Sequence, residues 1–179
     1  LQKCFKDEEY VGIADGGDIL SFSRIGLRSK YYLDSGVFGC LGVGIPYAIA
    51  ASKVFKEKKI ICVIGDGSFG FNAMELDTAV RNKSNICVII SNNGGWNIEK
   101  HDQRLNYGNR VYGTSLPHCD YAKLAESLGA FSLKVNDPNK LEMSISKALK
   151  NTPSVVDIIT SSSFLSSDAL KGLGFVRKY

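Results

Sequence analysis

The sequence predicts an α/β protein: a doubly wound, mainly parallel sheet with helices on both faces. Two runs carry most of that prediction. Ile60-Ile61-Cys62-Val63-Ile64 and Ile86-Cys87-Val88-Ile89-Ile90 are short, rich in β-branched residues and free of polar alternation. That is the pattern of a strand covered on both faces, as parallel strands are. The third observation is the alternation of strand-like and helix-like segments along the chain without an internal repeat, which favours βαβ units over an all-β sandwich.

The elements follow in order. Residues 10–14 begin the sheet and 31–33 add a short strand. Residues 46–55 form a helix with Pro46 in its first turn, where a missing N–H costs nothing. Strand 60–64, helix 72–81 and strand 86–91 make the central unit. In that helix Asn72 is expected to cap and Glu75 to reach back, as in a capping box. Asp120 caps a helix that Gly129 ends, and 131–135 is a strand. Asp137-Pro138 opens a helix whose buried face is drawn by Leu141, Ile145 and Leu149 at four-residue spacing. Pro153 precedes the last strand, 155–160. The glycine-bearing stretch 94–118 has weak periodicity and is expected to be a functional loop or lid.

Polar residues cluster where the two core strands leave the sheet: Gly65-Asp66-Gly67-Ser68 after one, Asn92-Asn93 after the other. Ligands of open α/β sheets bind at the carboxyl ends of strands. The stretch Gly65 to Gly70 also satisfies G-x-G-x-x-G. An acid between its first two glycines, however, repels a pyrophosphate unless a cation stands between them, and the next strand lacks the acid that a ribose hydroxyl needs. With a cation the same residues make sense. Mg²⁺ takes six oxygens in octahedral geometry and combines few protein ligands with phosphate and water. Asp66, the Asn93 amide and a carbonyl of the Gly94-Gly95 turn supply such a set, and the helix start at Gly67-Ser68 favours phosphate.

The pair Gly65-Asp66-Gly67-Ser68 and Asn92-Asn93 resembles the cofactor signature of thiamine diphosphate enzymes. The stretch from Ser35 to Ala51 is similar to the segment before that signature in the group of acetolactate synthases, benzaldehyde lyase, 2-hydroxyacyl-CoA lyase and oxalyl-CoA decarboxylase. The resemblance runs from about Val11 to the tail Lys171-Gly172-Leu173-Gly174-Phe175-Val176-Arg177-Lys178-Tyr179. It implies Mg²⁺ held by Asp66, Asn93 and the Gly95 carbonyl. It implies a diphosphate contacted by Gly65, Gly67, Ser68 and the loop Asp15-Gly16-Gly17-Asp18. Leu41 would wedge between the cofactor's two rings, and the Gly39 carbonyl would accept a hydrogen bond from its 4′-amino group, with Cys40 between them. The glutamate that activates the cofactor is expected on a pyrimidine-binding domain of the same or a neighbouring chain. Where the acetolactate pattern has a tryptophan, this chain has Asp102. Its only tryptophan, Trp96, stands three residues after Asn93, which looks more like benzaldehyde lyase and the hydroxyacyl-CoA lyases. Trp96 either lines the cavity or packs the turn, and His101 is an acid-base candidate by residue type.

At 179 residues, 44% hydrophobic and 22% charged, the chain has the size and composition of one soluble domain. With no initiator Met, it is expected to be the C-terminal part of a longer enzyme. Net charge is +4, and Lys53, Lys56, Lys58 and Lys59 are expected to be a solvated helix end, not a nucleic-acid patch. Cys4, Cys40, Cys62, Cys87 and Cys119 lack C-x-x-C spacing, and Cys62 and Cys87 are expected as buried thiols. No signal peptide or long apolar run is evident, so a cytoplasmic location with no membrane partner is expected. The full enzyme is expected to form homo-oligomers and to act on a 2-oxo acid, a 2-hydroxy ketone or an acyl-CoA-type substrate, as a lyase, decarboxylase or transferase. Two alternatives are a stand-alone beta subunit of a split sulfopyruvate- or phosphonopyruvate-type decarboxylase, and a non-catalytic regulatory or interaction domain.

Overall fold

The computed structural model describes residues 10–174. Cys4 and the tail from Phe175 onward lie outside them. Six strands form one sheet: β1 (Tyr10–Asp15), β2 (Tyr31–Leu33), β3 (Lys59–Gly65), β4 (Ile86–Asn92), β5 (Phe131–Val135) and β6 (Ser154–Ile159), in the order β2-β1-β3-β4-β6-β5. Every neighbouring pair is parallel. The helices are α1 (Asp18–Gly26), α2 (Gly44–Val54), α3 (Asp66–Asn72), α4 (Glu75–Arg81), α5 (Asn97–Asn106), α6 (Tyr121–Ser127), α7 (Leu141–Lys150) and α8 (Ser167–Gly174).

The core strands are buried on both faces, as their lack of alternation requires. Ile60, Cys62 and Ile64 of β3 join Ile86, Val88 and Ile90 of β4 in one apolar cluster, which packs against Ile45 and Ala48 of α2, Leu76 of α4 and Ala125 of α6. Ile61 and Val63, with Cys87 and Ile89, face the opposite cluster, closed by Ile145 and Ala148 of α7. Each of the buried Ile, Val and Leu side chains contributes on the order of 1.5–3 kcal/mol by leaving water. Leu141 and Leu149 complete the α7 face as half-buried flanks. Cys62 and Cys87 are buried thiols, and Cys40 and Cys119 are exposed.

The chain runs from β1 outward to the edge strand β2 and then returns to the other side of β1 as β3. The direction of winding therefore reverses between β1 and β3, and the crevice outside their carboxyl ends is the ligand position of such sheets. Register keeps these ends level: Asp15 pairs with Ile64, and Gly65 with Ser91.

The capping box at Asn72 and Glu75 is not formed. The helix begins at Asp66, breaks after Asn72 and resumes at Glu75, and the residue before it, Met74, makes no side-chain cap. Asn72 instead donates through Nδ2 to the Gly42 carbonyl at 2.8 Å. A tertiary acceptor took the side chain that a local cap would have used. The stretch 94–118 is likewise not a loop throughout, because α5 occupies Asn97–Asn106. Helix α1 starts at Asp18, directly after a loop residue, Gly17, with no side-chain cap to mark it. By contrast, Asp120 caps α6, accepting from Lys123 N–H at 3.0 Å, and Asp137 accepts from Asn139 N–H at 3.0 Å in the short 3₁₀ turn before α7. Helix α2 ends at Val54, so Lys56 and Lys58 fall in the turn to β3. Lys53 and Lys59 each donate to a backbone carbonyl, of Asn82 and Leu149.

Candidate cofactor and metal site

A cleft of about 540 Å³ opens at the switch point. Its walls are the backbone turns that follow three strands: residues 16–18 after β1, 65–68 after β3 and 93–97 after β4, with the segment 35–41 on the rim. Of the residues singled out from sequence for cofactor contact, all but Asp15 and Cys40 line this cleft.

Asp66 binds the β3 end to the β4 end. Its Oδ2 accepts from Gly94 N–H at 2.9 Å and Gly95 N–H at 3.1 Å, so the two glycines aim the carboxylate. Gly94 adopts φ +69°, a left-handed turn that suits glycine. Burial pushes the Asp66 carboxyl pKa up from its ordinary value, and backbone N–H donation from Gly67, Gly95 and Gly94 only partly opposes this. Beside it, the Asn93 Oδ1 is buried and has no hydrogen-bond partner. A buried acceptor without a partner costs roughly 1–3 kcal/mol. A cation between the two oxygens would remove both penalties. Among the described residues no group of three His, Cys, Asp or Glu side chains is arranged to hold a metal. One carboxylate, one amide and backbone or ligand oxygens form a donor set suited to Mg²⁺.

Gly67 has no room for a side chain: a Cβ there would lie 2.6 Å from Cζ3 of Trp96. Trp96 therefore does both things the sequence left open. It packs the turn and lines the cleft, with the Phe71 ring edge-on at 5.9 Å. Asp15 lies beneath the cleft, fully buried, with Oδ2 accepting from Gly44 N–H at 2.7 Å and its pKa raised by that burial. It fastens the start of α2 to the end of β1. The Asp18 side chain is turned to the C-terminal segment, where Oδ1 accepts from Ser166 N–H at 2.8 Å. His101 does not line the cleft; its Nε2 lies 3.1 Å from the Ser162 carbonyl. Asp102 accepts from Asn106 Nδ2 at 2.7 Å, one turn along α5.

Several lining residues escaped the sequence reading. Asn97 opens α5, is buried, and donates through Nδ2 to the Phe164 carbonyl at 3.2 Å. Phe164 itself reaches the cleft from the segment after β6, as does Glu99 from the first turn of α5, whereas Glu75 does not. Nothing local announces these residues. Phe164 stands next to the cleft only because β6 pairs with β4.

Residues 20–158 match the family model described as "Thiamine pyrophosphate enzyme, C-terminal TPP binding domain". Over 161 residues, covering 88% of this chain and 29% of the relative, the sequence is 36% identical to the acetolactate synthase large subunit of Mycobacterium tuberculosis. It is 35% identical over 131 residues to 2-hydroxyacyl-CoA lyase 2 of Mus musculus, covering 72% of this chain and 21% of the relative. The fold superposes on benzoylformate decarboxylase from Polynucleobacter necessarius with a TM-score of 0.80 at 22% identity, over 90% of this chain and 32% of that one. The chain thus spans less than a third of the length of these curated relatives.

Proposed function

This chain belongs to the thiamine pyrophosphate (thiamine diphosphate) enzyme family as its C-terminal TPP-binding domain, and from that we propose that it binds thiamine diphosphate through Mg²⁺ held by Asp66, Asn93 and the Gly95 carbonyl. The observation that carries the metal assignment is the partnerless, buried Asn93 Oδ1 in the same cleft as a buried carboxylate. The backbone N–H groups of residues 16–18 and 67–68 then hold the diphosphate at the start of two helices. The cofactor, when bound, supplies the nucleophilic carbon and electron sink for making or breaking a bond next to a carbonyl. The chain's own residues orient it: Leu41 presents an apolar wedge on the cleft wall, the Gly39 carbonyl accepts from the cofactor's amino group, and Trp96 keeps water from one side.

The whole protein is proposed to be an acetolactate synthase-like lyase, decarboxylase or transferase acting on a small 2-oxo acid or acyl-CoA-type substrate. Its activating glutamate comes from a pyrimidine-binding domain of the same or a neighbouring chain in a homo-oligomer. Val37 and Phe38, 98% and 89% exposed beside the cleft-lining Gly36 and Gly39, support a covering domain at this rim. Among the described residues no helix is long and apolar enough to cross a membrane, in keeping with the proposed cytoplasmic location. Calorimetric titration with thiamine diphosphate, with Mg²⁺ and then with excess chelator, tests the reading. Metal-dependent binding in the wild type and its loss in Asp66→Ala are expected; equal affinity in the two proteins overturns the metal assignment.

A further inference from the structure

Asn93 has a place in the proposed metal site, but its neighbour Asn92 has none there. Asn92 is fully buried at the last position of β4. Its Nδ2 donates to Asp157 Oδ1 at 3.0 Å and to the Cys119 carbonyl at 3.1 Å. A carbonyl only accepts, so the amide orientation is fixed, and Oδ1 must be the atom that receives the His118 Nδ1 proton at 3.1 Å. Asp157, also fully buried, uses its second oxygen to accept from Tyr121 N–H at 3.1 Å. It stands on β6 opposite Ile90, while Asn92 stands opposite Ile159, so the two are diagonal neighbours across a strand pair. The His118 ring lies over Gly94: a Cβ there would come 2.8 Å from Nε2. Behind the turn that bears Asn93, and whose N–H groups aim Asp66, sits a polar knot in which each side-chain nitrogen and oxygen of the buried Asn92 and Asp157 has a partner.

We propose that Asp157, Asn92 and His118 are positioning residues that lock the Asn93-Gly94-Gly95 turn in its metal-binding shape, an inference that rests on the cofactor reading above for its purpose but not for its geometry. Satisfied buried networks of this kind hold one arrangement, and removing one member leaves the others without partners. Asp157→Asn keeps the volume but sets a donor against either Asn92 Nδ2 or Tyr121 N–H. Exchanging the pair, Asn92→Asp with Asp157→Asn, restores three of the four bonds. The amide now on β6 donates to the carboxylate now on β4 and accepts from Tyr121 N–H, and His118 donates to that same carboxylate. The bond to the Cys119 carbonyl is lost, and a carboxylate oxygen now faces that carbonyl, so the exchanged pair regains most but not all of the wild-type arrangement.

The test is amide hydrogen exchange, read residue by residue by NMR on the full 179-residue chain, with the Gly94 and Gly95 N–H groups as reporters. In Asp157→Asn both should exchange at least about tenfold faster while amides of β1 and β3 stay within about twofold, and the exchanged pair should recover to within about threefold of wild type. Wild-type protection in Asp157→Asn, or an exchanged pair no better than the single variant, overturns the proposal. If Asp157→Asn accelerates every amide together, His118→Ala decides, because that residue is exposed and its loss leaves the core intact. Faster Gly94 exchange in it supports the proposal and unchanged exchange overturns it. Mg²⁺-dependent affinity for thiamine diphosphate should fall at least about tenfold in Asp157→Asn and recover in the exchanged pair. If the wild-type chain binds no cofactor, the exchange data alone judge the positioning, and the same titration on the full-length protein judges the proposed function.

Discussion

Among single residues, three buried carboxyls stand at or beneath strand ends, and burial raises the pKa of each: Asp15, Asp66 and Asp157. A raised folded-state value means that the native protein holds more protons than the unfolded chain between the two pKa values. Stability from such a group is full below the unfolded value and falls as pH rises through the folded one. The cofactor-free wild type should therefore lose melting temperature relative to Asp66→Asn as pH rises above the ordinary carboxylate value of about 4; parallel melting curves at every pH would refute this. Metal binding reverses the preference, since a cation favours the ionised form. Titration of the preformed Mg²⁺–cofactor complex into the protein, in buffers of different ionisation enthalpy, should release up to about one proton from Asp66; no release would refute this. Glycine identity is equally local. Gly67→Ala forces the Trp96 ring aside and should cost about 1–3 kcal/mol by overpacking, read as a shifted denaturant midpoint with weakened cofactor binding.

Among the elements, the central unit shows where pattern suffices and where it fails. Strands β3 and β4 could be read from composition because burial on both faces leaves no polar position in their interiors. The α3–α4 pair was read only in part: a helix start at 67–68 and a helix over 72–81 were expected, but the break between the two was not. Glycines at 67 and 70 and the break at 73–74 carry no helical period, and Asn72 looked like a cap when its partner is the Gly42 carbonyl. That bond ties the helix pair to the segment that carries Gly39 and Leu41. Asn72→Ala should lower stability by about 1 kcal/mol and weaken cofactor affinity more than it weakens the fold; an affinity that simply tracks the melting temperature would make the bond merely structural. Gly42 is the other half of the joint. It sits at φ +87° with a Cβ position 2.6 Å from Cβ of Phe71, so no residue with a side chain fits there without moving α3.

In the molecule as a whole, topology makes the site. The reversal of winding between β1 and β3 opens a crevice at the strand ends, and the level register of β1, β3 and β4 brings three turns to it. The rim also carries apolar surface: Val37 and Phe38 are exposed, and Phe71, whose ring meets that of the cleft-lining Trp96, is 61% exposed. Surface of this kind marks an interaction face. The isolated chain is expected to show no decarboxylase or lyase turnover with 2-oxo acids even when loaded with cofactor, and to gain it when the remaining domains are supplied; turnover by the chain alone would remove the need for an external glutamate.

The parallel α/β class, the two core strands and the residues at their ends were legible in the sequence because they are written in short windows: β-branched runs, glycine turns, and an Asp and an Asn where the chain leaves the core. The caps at Asp120 and Asp137 were legible for the same reason, since each bond closes within three residues. What those windows meet was settled in three dimensions. Folding put Trp96 over Gly67, brought Phe164 and Asn97 to the cleft, sent Asn72 to Gly42, and joined Asn92 to Asp157 across two strands that are 65 residues apart in the chain. Such contacts depend on strand order, and strand order is set by the packing of every element at once.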